Sequence, residues 1–250
     1  MLKLEFLPKF SLTIVIAFIA FTIIGTQLHE MGHVLVAKYY GYQTELYHDS
    51  MTYYEKGIGQ DKNYLELKNL YEQYDNFDYE SFPEDVKEKI KILNERLDEK
   101  YPNQDNNDGI YISLGGPLQT ILTSLIGLSI LLYRRKNDYE FKLLDWLSIF
   151  LALFILREIF NFCQAVFGFL LLGQKEFYGD EFAISQDLGF NQWLIPSIML
   201  LIGVFISLWV IFKIIPLKYR FSFIVSGFVG GLLGFAIWFG FLGEFVFSYL

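Results

Sequence analysis

Residues 10–40 read FSLTIVIAFIAFTIIGTQLHEMGHVLVAKYY. Phe10–Leu28 carries no charged side chain and is close to the roughly 20 apolar residues that cross a bilayer as a helix. The helical pattern continues without a proline to about Tyr40. His29, Glu30 and His33 then fall within little more than one turn of that same helix. Ionisable side chains at membrane depth are costly, and they mark functional positions. In a helix, residues i and i+4 share a face, so the imidazoles of His29 and His33 converge on one point with Glu30 beside it. This is an H-E-x-x-H sequence, whose histidines hold zinc while the glutamate serves as base toward the attacking water. His29 and His33 are therefore candidate Zn2+ ligands and Glu30 the candidate catalytic residue.

Outward from this stretch, further charge-free or nearly charge-free runs recur. Ile110–Tyr133, Leu188–Phe212 and Phe221–Gly243 each approach or exceed a bilayer-crossing length. Leu143–Leu172 is interrupted only by Asp145, Arg157 and Glu158, and it reads as another span with its charges buried in protein. The expected fold is an all-α polytopic membrane protein of about five transmembrane helices. Lys3 and Lys9 ahead of the first apolar run resemble a signal peptide. No small-x-small cleavage site follows, so an uncleaved span is expected.

Composition agrees once it is mapped along the chain. The 250 residues are 53% hydrophobic and 19% charged, yet net −8; soluble domains average about 25% charged. Residues 42–109 hold 17 Asp/Glu against 8 Lys/Arg. The acidity therefore belongs to one insertion, and the rest is nearly neutral. The expected organisation is residues 1–41 as the first span with the motif, 42–109 as an acidic extramembrane insertion, and 110–250 as the remaining spans. Apolar content of this size excludes disorder. A pI of about 4.9 argues against nucleic acid as a partner. Cys163 alone makes neither an internal disulfide nor a cysteine zinc site.

Within the insertion, the residues after Gly41 fit a short strand or hairpin, with Thr44, Leu46 and His48 on one side. Ser81-Phe-Pro-Glu84 fits a capping box. Val86, Ile90, Leu93 and Leu97 then mark one face of a helix that ends at Tyr101-Pro102. Asn103–Asp108 reads as a polar linker back to the membrane.

A catalytic zinc site takes a third protein ligand and leaves one position open. Asp180, in Tyr178-Gly179-Asp180-Glu181, is one candidate, and Glu158 is the alternative metal ligand. Asp180 is favoured by topology, because the first span ends, the second begins and the third ends on one side of the membrane. Glu158 lies deeper and reads first as a charge-neutralising partner of Arg157. Gly115-Gly116-Pro117 places a proline where a helix start tolerates it. Gly116, Pro117 and Asn161 are candidate substrate-positioning residues. His48 is a weaker candidate contact, and Gly227, Gly230, Gly231 and Gly234 read as helix-packing positions. Lys3, Lys9, Arg134, Arg135, Lys136, Lys142, Lys213, Lys218 and Arg220 lie on one side, against Lys38 and Lys175 in the short loops of the other. By the positive-inside rule the N terminus is cytoplasmic and the insertion is not.

HEMGH in a membrane helix, Gly116-Pro117-Leu118 in a later span, and a carboxylate motif near the end of another together resemble the site-2 protease family of intramembrane zinc metalloproteases. The resemblance covers about residues 12–190. It implies zinc held by His29, His33 and Asp180, Glu30 as the catalytic base, and hydrolysis of peptide bonds in membrane-protein substrates. The family usually has Asn where this chain has Thr120, and Asp-Gly where it has Gly179-Asp180-Glu181. Family members usually hold the site toward the cytosol, whereas the charge count places these motifs on the opposite face. A non-proteolytic membrane scaffold or chaperone of protease descent remains an alternative. So does a metal transporter lined by His29, His33, Asp180 and Glu158. In each case the chain is expected to be an integral, multi-pass protein of the cell (inner) membrane, in contact with the lipid bilayer. Its oligomeric state is left open.

Overall fold

A computed structural model describes residues 5–74, 77–101, 108–136, 141–174 and 177–249. The linker expected at Asn103–Asp108 lies outside them except for Asp108, as do Lys3, Lys175 and Pro102. Among the described residues, four helices are long and apolar enough to cross a membrane: Pro8–Tyr39, Asp108–Lys136, Leu194–Ile214 and Leu217–Phe247.

The first of these is α1 (Pro8–Tyr39), with proline in its first turn, where a missing N–H is harmless. A hairpin follows, β1 (Gln43–Leu46) with β2 (Met51–Tyr54), antiparallel with Gln43 opposite Tyr54 and Leu46 opposite Met51. Helices α2 (Lys62–Gln73) and α3 (Glu84–Lys100) complete the insertion. The body continues with α4 (Asp108–Lys136), α5 (Leu143–Ala152), α6 (Leu156–Leu172), α7 (Asp180–Asp187), α8 (Leu194–Trp209), α9 (Leu217–Ile237) and α10 (Gly243–Phe247). A π-helical turn at Val210–Ile214 extends α8, and another at Trp238–Leu242 joins α9 to α10.

Three expectations need correction. The stretch Leu143–Leu172 is not one unbroken α-helix but α5 and α6, separated by a 3-10 turn at Leu153–Ile155. The break is held from outside: Ser124 Oγ on α4 donates to the Ala152 carbonyl at 2.6 Å. Proline 117 does not open its helix. Helix α4 begins at Asp108 and carries Pro117 in its interior. The capping box at Ser81 is absent, since Ser81 Oγ donates instead to Asp78 O and the helix starts at Glu84. The face Val86, Ile90, Leu93 and Leu97 is buried as the spacing requires. Phe82, Val86 and Ile90 pack against Leu67, Leu70 and Tyr74 of the α2 region, which the sequence reading did not contain.

Helix α1 packs between α4 and α9. The core of the body joins Ile14, Leu131, Ile149, Phe150, Val210 and Phe223. Gly230 lets α9 approach α1 closely, and a side chain there would meet the Val15 carbonyl at 2.7 Å. Asp145 does not stay unpaired in this apolar setting. Arg134 grips both its oxygens at 2.6 and 2.9 Å. The hairpin turn is tied to the body through one carbonyl: His48 O accepts from Gln27 Nε2 on α1 at 2.6 Å and from Trp238 Nε1 at 2.7 Å.

Candidate metal centre

His29, Glu30 and His33 are buried on α1, with 0%, 6% and 5% of their surfaces exposed. They form a group that could hold a metal ion, with one ligand atom from each lying within 4.8 Å of the others. The two imidazole rings are 5.0 Å apart. The helical spacing that the sequence supplies is thus realised on an inward face.

Helix α4 orients both rings. Pro117 lacks an N–H, so this turn of α4 forgoes one backbone hydrogen bond. Within it, Ile112 O lies 2.7 Å from His33 Nδ1. A carbonyl can only accept, so His33 Nδ1 carries a proton, and in the neutral ring Nε2 presents a bare lone pair. Gly116 N–H lies farther from the same nitrogen, at 3.3 Å. Thr120 Oγ1 holds His29 Nδ1 at 2.9 Å. Fixing the far ring nitrogen in this way aims the near one, as supporting hydrogen bonds do in metal sites.

Asp180 completes the cluster from α7. Gly179, at φ 127°, turns the chain into the helix, in a region that glycine enters most easily. Asp180 Oδ2 then lies 2.8 Å from His29 Nε2 and 3.3 Å from His33 Nε2. Two ligand atoms bound tetrahedrally at 2.0–2.1 Å from zinc are about 3.3 Å apart, so these separations are close to those of a ligand set. The Asp180 carboxylate and the two Nε2 atoms are held together by a proton on the imidazoles or, in its place, by a metal ion. Gly116 leaves the space for one. A Cβ on this residue would press on the Nε2 atoms of both histidines. The donor set and the space in front of it fit a metal ion.

The close crossing of α1 and α4 depends on the same glycine pair. A Cβ on Gly115 would meet Gly32 O at 2.6 Å. Glu158, the alternative ligand, is not brought to the histidines. It is 2% exposed, lies beside Glu181, and its carboxyl oxygens have no hydrogen-bond partner among the described residues. Nor does it neutralise Arg157, whose Nη2 lies 3.5 Å from Glu30 Oε1. His48 sits in the hairpin turn against Trp238 and is not part of the His29–Glu30–His33 group. Thr120, Ile112, Arg157 and Glu181 were not read as site residues from the sequence. Arg157 and Glu181 carried a usable signal, as charges beside apolar runs.

A cavity of about 810 Å³ runs among α1, α6 and α9. Phe154 and Phe235 contribute to its largely apolar wall, and its polar lining includes Thr26, Thr120, Arg157 and Asn161. Gly116 and Pro117 are not part of that lining. They face the histidines (Gly116) or are buried in α4 (Pro117).

No protein-family model, curated protein or solved structure matches this chain.

Proposed function

We propose that this protein is an intramembrane zinc metalloprotease of the site-2 protease type, acting on membrane-protein substrates in the cell membrane. The observation that carries the reading is the convergence of His29 Nε2, His33 Nε2 and Asp180 Oδ2 in front of Gly116, with Glu30 on the next position of the same helix. His29, His33 and Asp180 would hold the zinc. When bound, zinc supplies an acidified water and a Lewis acid for the scissile carbonyl.

The chain's own residues do the remaining work. Glu30 takes the proton of the attacking water and later delivers it to the leaving amine. Thr120 and Ile112 O hold the imidazoles in orientation, and Ile112 O, which can only accept, keeps a proton on His33 Nδ1. A substrate helix must unwind before cleavage, because its backbone hydrogen bonds are internally satisfied. The apolar cavity beside Thr120 and Arg157 can receive such a segment out of lipid. The two-stranded hairpin offers a strand edge on which an extended segment can pair.

The test is Glu30→Gln in the full-length protein, reconstituted in liposomes with a single-span substrate. Zinc content should stay stoichiometric while cleavage is abolished. Cleavage at the wild-type rate by that variant would remove Glu30 from the mechanism. Wild-type protein lacking both zinc and cleavage would favour a scaffold of protease descent.

A further inference from the structure

We infer that Arg157 is the electrophilic residue of this site, the side chain that receives the substrate's carbonyl oxygen as it gains negative charge. The inference rests on the metalloprotease reading above and extends it to a residue outside the H-E-x-x-H motif.

A guanidinium keeps its charge under all ordinary conditions, and a poorly paired cation against an apolar cavity wall is costly. Arg157 is nonetheless poorly satisfied. Its sequence neighbour Glu158 does not pair with it, and its one ion pair among the described residues is the 3.5 Å contact to Glu30 Oε1. Charge-assisted hydrogen bonds to a carboxylate run to about 2.7–2.9 Å, so this contact leaves most of the interaction unused. Arg157 Nε is buried with no hydrogen-bond partner. The rest of the side chain, 26% exposed, lines the apolar cavity. An under-satisfied fork of N–H donors therefore stands between the cavity and Glu30, within electrostatic reach of His29.

What this fork lacks is an oxygen bearing negative charge next to Glu30. The reaction creates one. Water attacks the scissile carbonyl carbon, Glu30 accepts the water proton, and the carbonyl π pair moves onto its oxygen. Arg157 binds that oxyanion more strongly than the neutral carbonyl before it, which is the condition for accelerating the step. On collapse the pair returns, the C–N bond breaks, and the proton on Glu30 goes to the leaving nitrogen.

The experiment compares wild type, Arg157→Gln and Arg157→Lys as full-length protein in proteoliposomes. It measures zinc content, kcat and KM, and inhibition by two probes. A phosphinic peptide mimics the tetrahedral oxyanion, and a hydroxamate peptide of the same sequence engages the metal without presenting a tetrahedral centre. Arg157→Gln should retain zinc and keep KM within about twofold. It should lose about 10²–10³-fold in kcat and a similar factor in phosphinic affinity, with hydroxamate affinity unchanged. Arg157→Lys, which keeps the charge but not the fork, should recover part of both losses. A zinc-loaded Gln variant with wild-type kcat and phosphinic affinity would overturn the assignment, as would equal losses for both probes. If the Gln variant does not fold, the Lys variant decides by the same two probes. Wild-type protein without zinc or cleavage would instead overturn the metalloprotease reading, and this inference with it.

Discussion

Thr120 and Gly116 show what single side chains do for the candidate metal centre. Thr120 holds His29 Nδ1 at 2.9 Å, and loss of such a supporting bond typically lowers metal affinity about 10–100-fold. Thr120→Val keeps the shape and removes the hydroxyl. It is expected to weaken zinc by about that factor in chelator competition, with little change in thermal unfolding. Gly116→Ala places a methyl group against both Nε2 atoms. It is expected to lose zinc while circular dichroism shows the helices intact. The histidines and Glu30 were legible because i and i+4 on a helix need no tertiary information. Thr120 was visible only as a departure from the resembled family's Asn, because its partner lies 91 positions away and the pairing exists only once α1 and α4 cross.

At the scale of elements, the insertion is a small α2–α3 pair clamped by charge. The Lys100 ammonium, the Asn63 N–H and the Tyr101 hydroxyl hold the Asp61 carboxyl below the ordinary aspartate range. A depressed carboxyl pKa adds stability that is fully present above its unfolded value, about 3.9, and is lost as pH falls through the lower folded value. Hydrogen-exchange protection factors in α2 and α3 should therefore fall at acid pH below about 4, and Asp61→Asn should flatten that dependence. Ile90, 2% exposed on α3, should cost about 2–5 kcal/mol when truncated to Ala, read from denaturant unfolding of the insertion signal. The α3 face was legible from its 4-3-4 spacing. Helix α2 was not, although Leu67, Leu70 and Tyr74 recur at spacings of 3 and 4, because the run is short and none of its residues is fully buried. The break between α5 and α6 was hidden for the opposite reason. Leu153-Phe154-Ile155 is as apolar as its flanks, and its support comes from Ser124 on another helix.

Across the whole molecule, the site is an assembly of three distant segments. Helix α1 brings the histidines and Glu30, α4 aims the rings and leaves space in front of them, and α7 delivers Asp180 from 151 positions beyond His29. The insertion lies between α1 and α4 in sequence and is pinned back onto α1 and the π-helical turn after α9 through His48 O. The membrane body was legible in charge-free runs. The choice between Asp180 and Glu158 rested on topology alone, since either carboxylate satisfies the chemistry and only packing decides which one reaches the imidazoles. The central claim is that this packing makes a zinc site, and X-ray absorption on zinc-quantified wild type, His33→Ala and Asp180→Asn tests it most directly. The account predicts stoichiometric zinc in wild type with nitrogen and oxygen ligands at about 2.0–2.2 Å, and loss or depletion of that shell in both variants. Wild-type protein purified without chelator that holds no stoichiometric metal, or a shell unchanged by both substitutions, would contradict it.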